Sequence, residues 1–301
     1  MSKEVAFAIQ DIPGKGKGVI ATRDISGGEL ILAEAPLFTQ NSTPTNATLL
    51  AALKGLTDTQ QREFFSLANC HSNKHPPALG TWLTNALPCG QNDTVSGRTA
   101  SKGGIFLQAS RFNSSCLPNV NNRWVERDNK ITIRAVRNIA KGEELCLCYI
   151  ESWADRATRQ RELREHFGFD CRCAVCSLTG NALRSSDRRR SSLPVLYQEI
   201  AACGSNPALG VRKIKLALKT LSEEGMLDTG ASSFYDDAFQ FCVFVADVKN
   251  AKAWAEKALE SVTRLRGSDS EDAQQIEKHL RDPRTHMFFG VMGRKTLSGP
   301  E

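Results

Sequence analysis

The hydrophobic and polar residues of this chain follow two patterns, one typical of strands in its first half and one typical of helices in its second. In the first half, short apolar runs bounded by glycine turns predict strands at residues 19–23, 30–33, 124–125, 131–136 and 145–149. Apolar and polar residues alternate within 131–136, which indicates a strand with one face towards solvent. The first half is therefore predicted to be a region of short strands.

A segment of different character, residues 39–104, separates the two groups of predicted strands. Residues 49–53 and 60–67 have a helical pattern, whereas 69–77 form a polar loop. In this loop Cys70, His71 and His75 have a spacing that could bind a metal ion. Since no partner motif lies nearby, we interpret these three residues as solvent-exposed loop residues.

Beyond Cys176, apolar residues recur at three- and four-residue spacing, which is typical of amphipathic helices. This spacing predicts four helices, at residues 193–202, 211–224, 233–248 and 251–265. Gly225 and Gly267 are expected to end two of them. The run Ser268-Asp-Ser-Glu271 predicts a capping box for a last helix that extends towards Leu280. The second half is therefore predicted to consist of paired antiparallel helices.

The composition is that of an ordinary globular protein. Of 301 residues, 41% are hydrophobic and 24% are charged, so a packed core in one large or two smaller domains is expected. No apolar stretch is long enough to span a bilayer, and the N-terminus lacks the basic start and apolar run of a secretory signal. We therefore expect a nuclear or cytoplasmic protein without a membrane partner.

The charge of the chain is modestly basic, with a formal net charge of +6. This charge permits contact with nucleic acid or an acidic protein but requires neither. Arg188-Arg-Arg190, between the two halves, is interpreted as a solvated run of charge, with a targeting signal or a phosphate contact as alternatives. Because the other basic residues are dispersed, we expect no direct binding of nucleic acid.

The cysteines provide the clearest chemical signal. Cys171-Arg-Cys-Ala-Val-Cys176 brings three thiols into a spacing typical of metal sites, but a structural Zn²⁺ ion takes four ligands. Cys116 is the best candidate for the fourth, because its Pro and Asn neighbours indicate a turn. The predicted zinc ligands are thus Cys116, Cys171, Cys173 and Cys176. Of the six remaining cysteines, Cys146 and Cys148 are predicted to be small core residues.

Three motifs, in this order, resemble those of the SET-domain family of protein lysine methyltransferases. They are Asn113-Ser-Ser-Cys-Leu-Pro-Asn119, then Gly142-Glu-Glu-Leu145 with Tyr149, and then the cysteine cluster. Gly16-x-Gly18 near the N-terminus agrees with the family pattern, and the full set is specific where no single motif would be. Ser114 departs from that pattern, since the family usually has His there. The helical second half resembles the tail of the SMYD type, whose zinc-binding MYND module this sequence lacks.

The resemblance implies an α+β fold in three parts. A SET domain at 1–150 would consist of short strands with a pseudoknot-like active site and a variable insert at 39–104. A post-SET segment at 151–180 would bind zinc, and a tetratricopeptide-like helical domain would follow at 185–290. The resemblance also implies an S-adenosylmethionine-dependent lysine N-methyltransferase that acts on a histone or non-histone protein. Association with chromatin is possible under this interpretation. A SET-derived binding scaffold with weak catalysis, acting through the helical tail, is the alternative.

The resemblance assigns roles to individual residues. Tyr149 would be catalytic, through a phenol oxygen that orients the amine or the transferring methyl group, although a core aromatic at the end of a strand is the alternative. Phe167 would line the substrate channel. The residues implied to bind the cofactor are Lys15, Gly16, Lys17, Gly18, Asn85, Asn113, Ser114, Tyr149 and Phe169.

Overall fold

A computed structural model describes residues 5–90 and 99–300 of the chain, and these residues form two compact units. The first unit contains the described residues up to 152 together with 156–177. The second contains 153–155 and the described residues from 178 onwards. Every residue predicted above to bind cofactor, substrate or metal lies in the first unit. None of the helices described is long and apolar enough to cross a bilayer.

The described part of the first unit consists mainly of short strands. These are β1 (Phe7–Ile12), β2 (Gly16–Ala21), β3 (Leu30–Glu34), β4 (Phe38–Asn41), β5 (Leu87–Pro88), β6 (Lys102–Ile105), β7 (Asn113–Ser114), β8 (Val120–Val125), β9 (Lys130–Ala135) and β10 (Cys146–Leu147). Three antiparallel sheets have the orders β1-β2, β3-β9-β8 and β4-β6-β5, and β7 pairs with β10 in parallel.

The β9 strand has the predicted one-sided pattern. Ile131, Ile133 and Ala135 are buried in the core, whereas Thr132 and Arg134 between them remain half-buried. The strand predicted at 145–149 is shorter than expected, because only β10 within it pairs as a strand. Its partner β7 ends after two residues, where the chain turns towards the predicted metal ligand Cys116.

The insert at 39–104 forms a second small core around three helices. α1 (Asn46–Lys54) and α2 (Asp58–Phe65) confirm the predicted helices, and each begins with a capping box. α3 (Pro77–Asn85) was not predicted, and it begins with proline in its first turn, where the missing N–H has no cost. Leu49, Phe64 and Trp82 pack together between these helices.

A fourth helix of the first unit, α4 (Arg156–Phe167), leads to the cysteine cluster and was also not predicted from the sequence. Its buried residues are Leu163 and Arg159, so its inward face lacks the apolar stripe that reveals most helices. The helix ends before Gly168, whose φ of 72° favours glycine.

The second unit is helical throughout most of its described length. Its helices are α5 (Gly180–Ala201), α6 (Pro207–Glu223), α7 (Leu227–Gly230), α8 (Ser232–Phe244), α9 (Val248–Arg266) and α10 (Glu271–Arg281). Neighbouring long helices pack pairwise, with α5 against α6, α6 against α8, α8 against α9, and α9 against α10. This arrangement agrees with the predicted helical hairpins.

The predicted helix ends in this unit need three corrections. α5 begins at Gly180, well before residue 193. The helix predicted at 233–248 ends at Phe244, because Ala246 adopts a φ of 54° and redirects the chain into α9. The residue that caps α10 is Ser270 and not Ser268, since the Ser270 hydroxyl accepts the N–H of Ala273.

The solvated interpretation of Arg188-Arg-Arg190 is wrong for two of its three residues. Arg190 is fully buried in α5, and its Nε donates to Oε2 of Glu224 at 2.7 Å. Arg189 donates to Oε1 of the same carboxylate at 2.6 Å, and the Ser186 hydroxyl also donates to it. Burial alone would raise the pKa of Glu224, but these hydrogen bonds lower it below its usual value. Glu224 therefore neutralises a charge in the core of the helical unit.

We predict that Glu224→Gln lowers the free energy of unfolding by about 3–5 kcal/mol, because it removes the carboxylate that pairs with the buried Arg190. Urea unfolding at pH 7 measures this loss. Glu223→Gln is the matched control, since the Glu223 side chain is 46% exposed, and its effect should stay within about 0.5 kcal/mol.

The same variant tests the pKa of Glu224. Because this pKa is lowered in the folded state, the stabilisation is present at neutral pH and is lost as the pH falls below the usual value of 4.5. The difference between wild type and Glu224→Gln should therefore shrink in acid. Equal stability of the two proteins at pH 7 would contradict the assignment.

Candidate active site and metal centre

The centre of the first unit is a crossing of two segments, the loop at 113–119 and the segment at 143–149. Asn113 lies opposite Cys146 and Ser114 opposite Leu147 in the parallel pair of β7 and β10. The N–H of Ser115 donates to the carbonyl of Leu147 at 2.8 Å. The segment at 143–149 is also bonded to β2 on its other side, where the N–H of Leu145 donates to Val19. This arrangement agrees with the predicted fold.

Asn119 fixes the crossing with its side chain. Its Oδ1 accepts the N–H of Cys146 at 2.8 Å, and its Nδ2 donates to the carbonyl of Glu144 at 2.8 Å. The side chain is buried, so both backbone groups gain a partner that water could not supply. The last residue of the Asn113–Asn119 motif therefore has a structural role that sequence reasoning did not assign.

Tyr149 and Phe167, the predicted catalytic and channel residues, lie side by side with ring centroids 4.8 Å apart. The Tyr149 hydroxyl donates to the carbonyl of Phe112 at 2.5 Å, and its backbone N–H donates to the Ser114 hydroxyl at 3.3 Å. Burial raises the pKa of the Tyr149 phenol, so this group stays protonated near neutral pH. Its proton points to Phe112, which leaves the oxygen free to accept a further hydrogen bond.

A half-buried carboxylate supports the turn that leads into this region. Glu34 accepts the backbone N–H groups of Gln108 and Ala109 at 3.1 and 2.9 Å, at the start of a short 3₁₀ turn that precedes Phe112. Burial raises the pKa of Glu34, although the N–H donors oppose this effect. Glu34 thus fixes the position of the backbone carbonyl that holds Tyr149.

The Gly16-x-Gly18 motif lies at the start of β2, next to the turn of the β1-β2 hairpin. Gly16 has a φ of 73°, which favours glycine. At Gly18 a Cβ atom would lie 2.6 Å from Nδ2 of Asn113 and 2.5 Å from Cγ1 of Ile12. Only glycine therefore lets the hairpin approach the Asn113 side chain this closely.

Glu144 connects the hairpin to Asn113 and was not predicted as a site residue. Its Oε1 accepts Nδ2 of Asn113 at 2.9 Å, and its Oε2 pairs with Nζ of Lys15 at 2.6 Å. Asn113 Nδ2 also lies 3.3 Å from the carbonyl of Lys17, whose own ammonium pairs with Asp11. Lys15, Lys17 and Asn113 are therefore brought together around the hairpin.

Asn85, by contrast, is a buried part of the insert. Its Nδ2 donates to the carbonyls of Ala68 and Thr81 at 2.6 and 2.7 Å. Both amide hydrogens are thus used to hold α3 to the preceding loop. This side chain has no amide hydrogen left to donate to a ligand. The short motif around Asn85 is therefore weak support for a role in cofactor binding.

The four predicted metal ligands are brought together by the fold. The sulfur atoms of Cys116, Cys171, Cys173 and Cys176 all lie within 4.8 Å of one another, and those of Cys116 and Cys176 are 3.5 Å apart. A tetrahedral Zn²⁺ ion with Zn–S distances of about 2.3 Å needs sulfur atoms about 3.8 Å apart. The donor set and its spacing therefore fit a structural zinc ion.

The thiols of the cluster also change one another's pKa values. Hydrogen bonds from Cys116, and then from Cys171 and Cys176, lower the pKa of Cys173. The same interactions raise the pKa of Cys116, because four crowded thiols cannot all lose their protons without a positive charge between them. Among the residues that the structure describes, no other group of three or more such side chains lies close enough to share an ion, so Cys70, His71 and His75 do not form one.

One face of α4 holds the cluster. Gln160 donates from Nε2 to the carbonyl of Cys171 at 2.7 Å and accepts the Cys171 N–H at 2.9 Å. Arg156 donates to the carbonyl of Cys176, and Nη2 of Arg159 lies 3.9 Å from its sulfur. Burial acts to lower the pKa of Arg159, but attraction to Cys116 and Cys176 outweighs burial and raises it. No sequence motif indicated this face.

The insert contacts the segment that carries Phe167 and Phe169, both of which are half-buried. His71 donates from Nε2 to the carbonyl of His166 at 2.9 Å, and a Cβ at Gly168 would lie 3.0 Å from Cβ of Cys70. The view of His71 as a simple exposed loop residue is therefore wrong, because it is half-buried and fixes the end of α4.

Comparison with known proteins gives one consistent answer. Residues 16–150 match the SET domain family model. The chain is 35% identical over 285 residues to histone-lysine N-methyltransferase set5 of Schizosaccharomyces pombe, which covers 93% of this chain and 85% of that protein. It is 30% identical over 133 residues to human protein-lysine N-methyltransferase SMYD4, across 42% of this chain and 16% of SMYD4. A solved structure of Rubisco LSMT bound to AdoMet covers 97% of this chain at 12% identity and a TM-score of 0.38, values too low to support any argument.

The match to the family model covers the crossing and the second strand of the hairpin described above. The alignment with the fission yeast protein extends over the cysteine cluster and most of the helical unit, and it includes most of both chains. The α+β architecture, with its cysteine cluster and helical second half, agrees with both matches. The chain therefore belongs to the SET-domain family of protein lysine methyltransferases.

Proposed function

We propose that this protein transfers a methyl group from S-adenosylmethionine to the ε-amine of a lysine in a protein substrate, at the site around Tyr149. The observation that carries the proposal is the contact between Tyr149 and Phe167, next to the crossing that holds Asn113. S-adenosylmethionine would supply an electrophilic methyl group on its sulfonium. The protein therefore has to bind the two substrates, align the amine with the methyl group and exclude water.

Asn113 would hold the amino-acid end of the cofactor. Its amide hydrogens are already directed to Glu144 and Lys17, and no hydrogen bond to its Oδ1 is found in the described part of the chain. That oxygen would accept from the ammonium group of the cofactor. The ion pairs of Lys15 and Lys17 are exposed and contribute little, about 0–1 kcal/mol each, so either lysine can exchange its partner for the cofactor carboxylate.

Ser114 and Phe169 would complete the cofactor site. Ser114 stands where the family usually has His, and the backbone groups at this position would contact adenine regardless of the side chain. We therefore propose weaker cofactor binding and not its loss. Phe169, two residues before Cys171, would pack on the adenine ring, and the metal cluster would hold it there.

Tyr149 would act on the substrate lysine. The amine must be neutral, and deprotonation of a free lysine at pH 7 costs about 3.4 pK units. Burial in an apolar channel shifts a lysine by about 3–5 units, so desolvation beside Phe167 supplies enough without a carboxylate base. Because the Tyr149 proton is directed to Phe112, its oxygen would accept an N–H of the amine and orient the lone pair.

The substrate is proposed from the relatives. The fission yeast relative is named a histone-lysine N-methyltransferase, so histone lysines are the first substrates to test, followed by non-histone proteins. We accordingly propose a nuclear or cytoplasmic location, and association with chromatin in the histone case. The second candidate function is a binding scaffold that acts through the helical unit, which the replacement of His by Ser114 favours.

We predict that the zinc-loaded protein binds S-adenosylmethionine by isothermal titration calorimetry and methylates a histone or another protein with labelled cofactor. Tyr149→Phe should keep cofactor affinity within a few-fold of wild type, because it retains the ring that would contact the cofactor and removes only the hydroxyl that donates to Phe112. It should lower methyl transfer at least about 100-fold, since the hydroxyl orients the amine.

Tyr235→Phe is the matched control, because it removes a hydroxyl from the helical unit and should leave both quantities unchanged. Full activity of Tyr149→Phe would contradict the assigned role. Folded, zinc-loaded protein that does not bind the cofactor would rule out the enzyme and leave the scaffold.

We further predict that Cys173→Ser loses bound zinc and abolishes cofactor binding while the strands of the first unit stay folded. Phe167 and Phe169 directly precede the ligands, so their placement depends on the cluster. Zinc content by mass spectrometry, circular dichroism and calorimetry measure the three effects. Cys203→Ser is the control, since Cys203 lies in the helical unit. Unchanged cofactor affinity in a metal-free variant would refute the dependence.

A further inference from the structure

Arg159 is an unusual residue to find in the interior. Its side chain is fully buried, on a helix whose other arginines are at least partly exposed. Removing a guanidinium from water is unfavourable unless a negative charge lies close by. The environment of Arg159 therefore carries information about the charge of its neighbours.

Two of the predicted metal ligands are neighbours of Arg159. Nη2 of Arg159 lies 3.9 Å from the sulfur of Cys176, and the guanidinium also interacts with Cys116. A Zn²⁺ ion bound by four thiolates carries a net charge of −2, and three of its four ligands are buried here. One arginine beside the cluster halves that charge.

The position of Arg159 is set by the residues around it. Arg156 and Gln160 project from the same face of α4, one turn before it and one residue after it, and both bind the backbone of the ligand segment. Gln160 fixes Cys171 through two hydrogen bonds, so the position of the cluster relative to the helix is defined. The guanidinium is thus directed at the sulfur atoms and not at solvent.

We propose that Arg159 is the charge-compensating residue of the metal centre, which slows the loss of zinc by neutralising part of the charge of its four thiolates. Arg156 and Gln160 position the ligand backbone, and Arg159 acts on the sulfur atoms. The proposal depends on the metal centre and not on methyl transfer, so it can fail or succeed independently of the proposed function.

The test measures zinc release from the full-length, zinc-loaded protein to an excess of the chromogenic chelator 4-(2-pyridylazo)resorcinol. Arg159→Met removes the charge with little change in length, and Arg159→Lys keeps the charge. Arg161→Met is the matched control, because Arg161 is exposed on the same helix and its loss changes the net charge equally.

We expect Arg159→Met to release zinc about 10–100-fold faster than wild type, as is typical when a residue that contacts metal ligands is lost. Arg159→Lys should fall close to wild type, and Arg161→Met should match it. If Arg159→Met does not fold, Arg159→Gln gives the same comparison of charge lost with charge kept.

Two results would overturn the proposal. Release from the neutral variants within twofold of wild type would show that the charge has no effect on the metal. Equal acceleration in Arg159→Lys and the neutral variants would show that Arg159 acts through packing or guanidinium geometry alone. Both readouts are independent of cofactor, substrate and catalysis.

Discussion

The loop at 113–119 is held from two sides, and the site depends on this double restraint. On one side, backbone hydrogen bonds and the buried side chain of Asn119 bind it to the segment around Cys146. On the other side, Cys116 extends from the same loop to the cysteines that follow α4. A loop of this kind would otherwise be mobile, because it has only two residues of strand. Its rigidity allows Asn113 and the carbonyl of Phe112 to be placed precisely enough for chemistry.

The restraints serve different parts of the proposed reaction. Gly18 and Glu144 bring the hairpin to Asn113, where the cofactor would lie. Phe112 and Phe167 hold Tyr149, where the lysine would enter. The cysteine cluster connects the two, since its first ligand belongs to the loop and its other ligands follow Phe169. Metal binding and active-site geometry are therefore parts of one arrangement.

The sequence predicted those features whose signals are local or belong to a motif. The alternation in β9, the repeated spacing in α6 and α9, and the clustering of the four cysteines all agree with the predictions. α4 was missed because its buried face contains Arg159 and Gln160, which do not look apolar. The pairing of Arg190 with Glu224 was missed because the two residues are separated by 34 positions, and nothing in either neighbourhood indicates the other. Long-range polar contacts of this kind are defined only by the folded chain.

The position of Cys116 has a consequence for the order in which the protein matures. Cys116 and Cys176 are 60 positions apart, so the cluster closes a long loop of chain around the crossing. Bringing two residues that far apart into contact costs the unfolded chain about 4 kcal/mol of conformational entropy. During synthesis, which proceeds from the N-terminus, the strands can pair before the last ligands exist. The site around Tyr149 would thus be the final part of the first unit to form, and a cell short of zinc would accumulate protein with folded strands but an incomplete site.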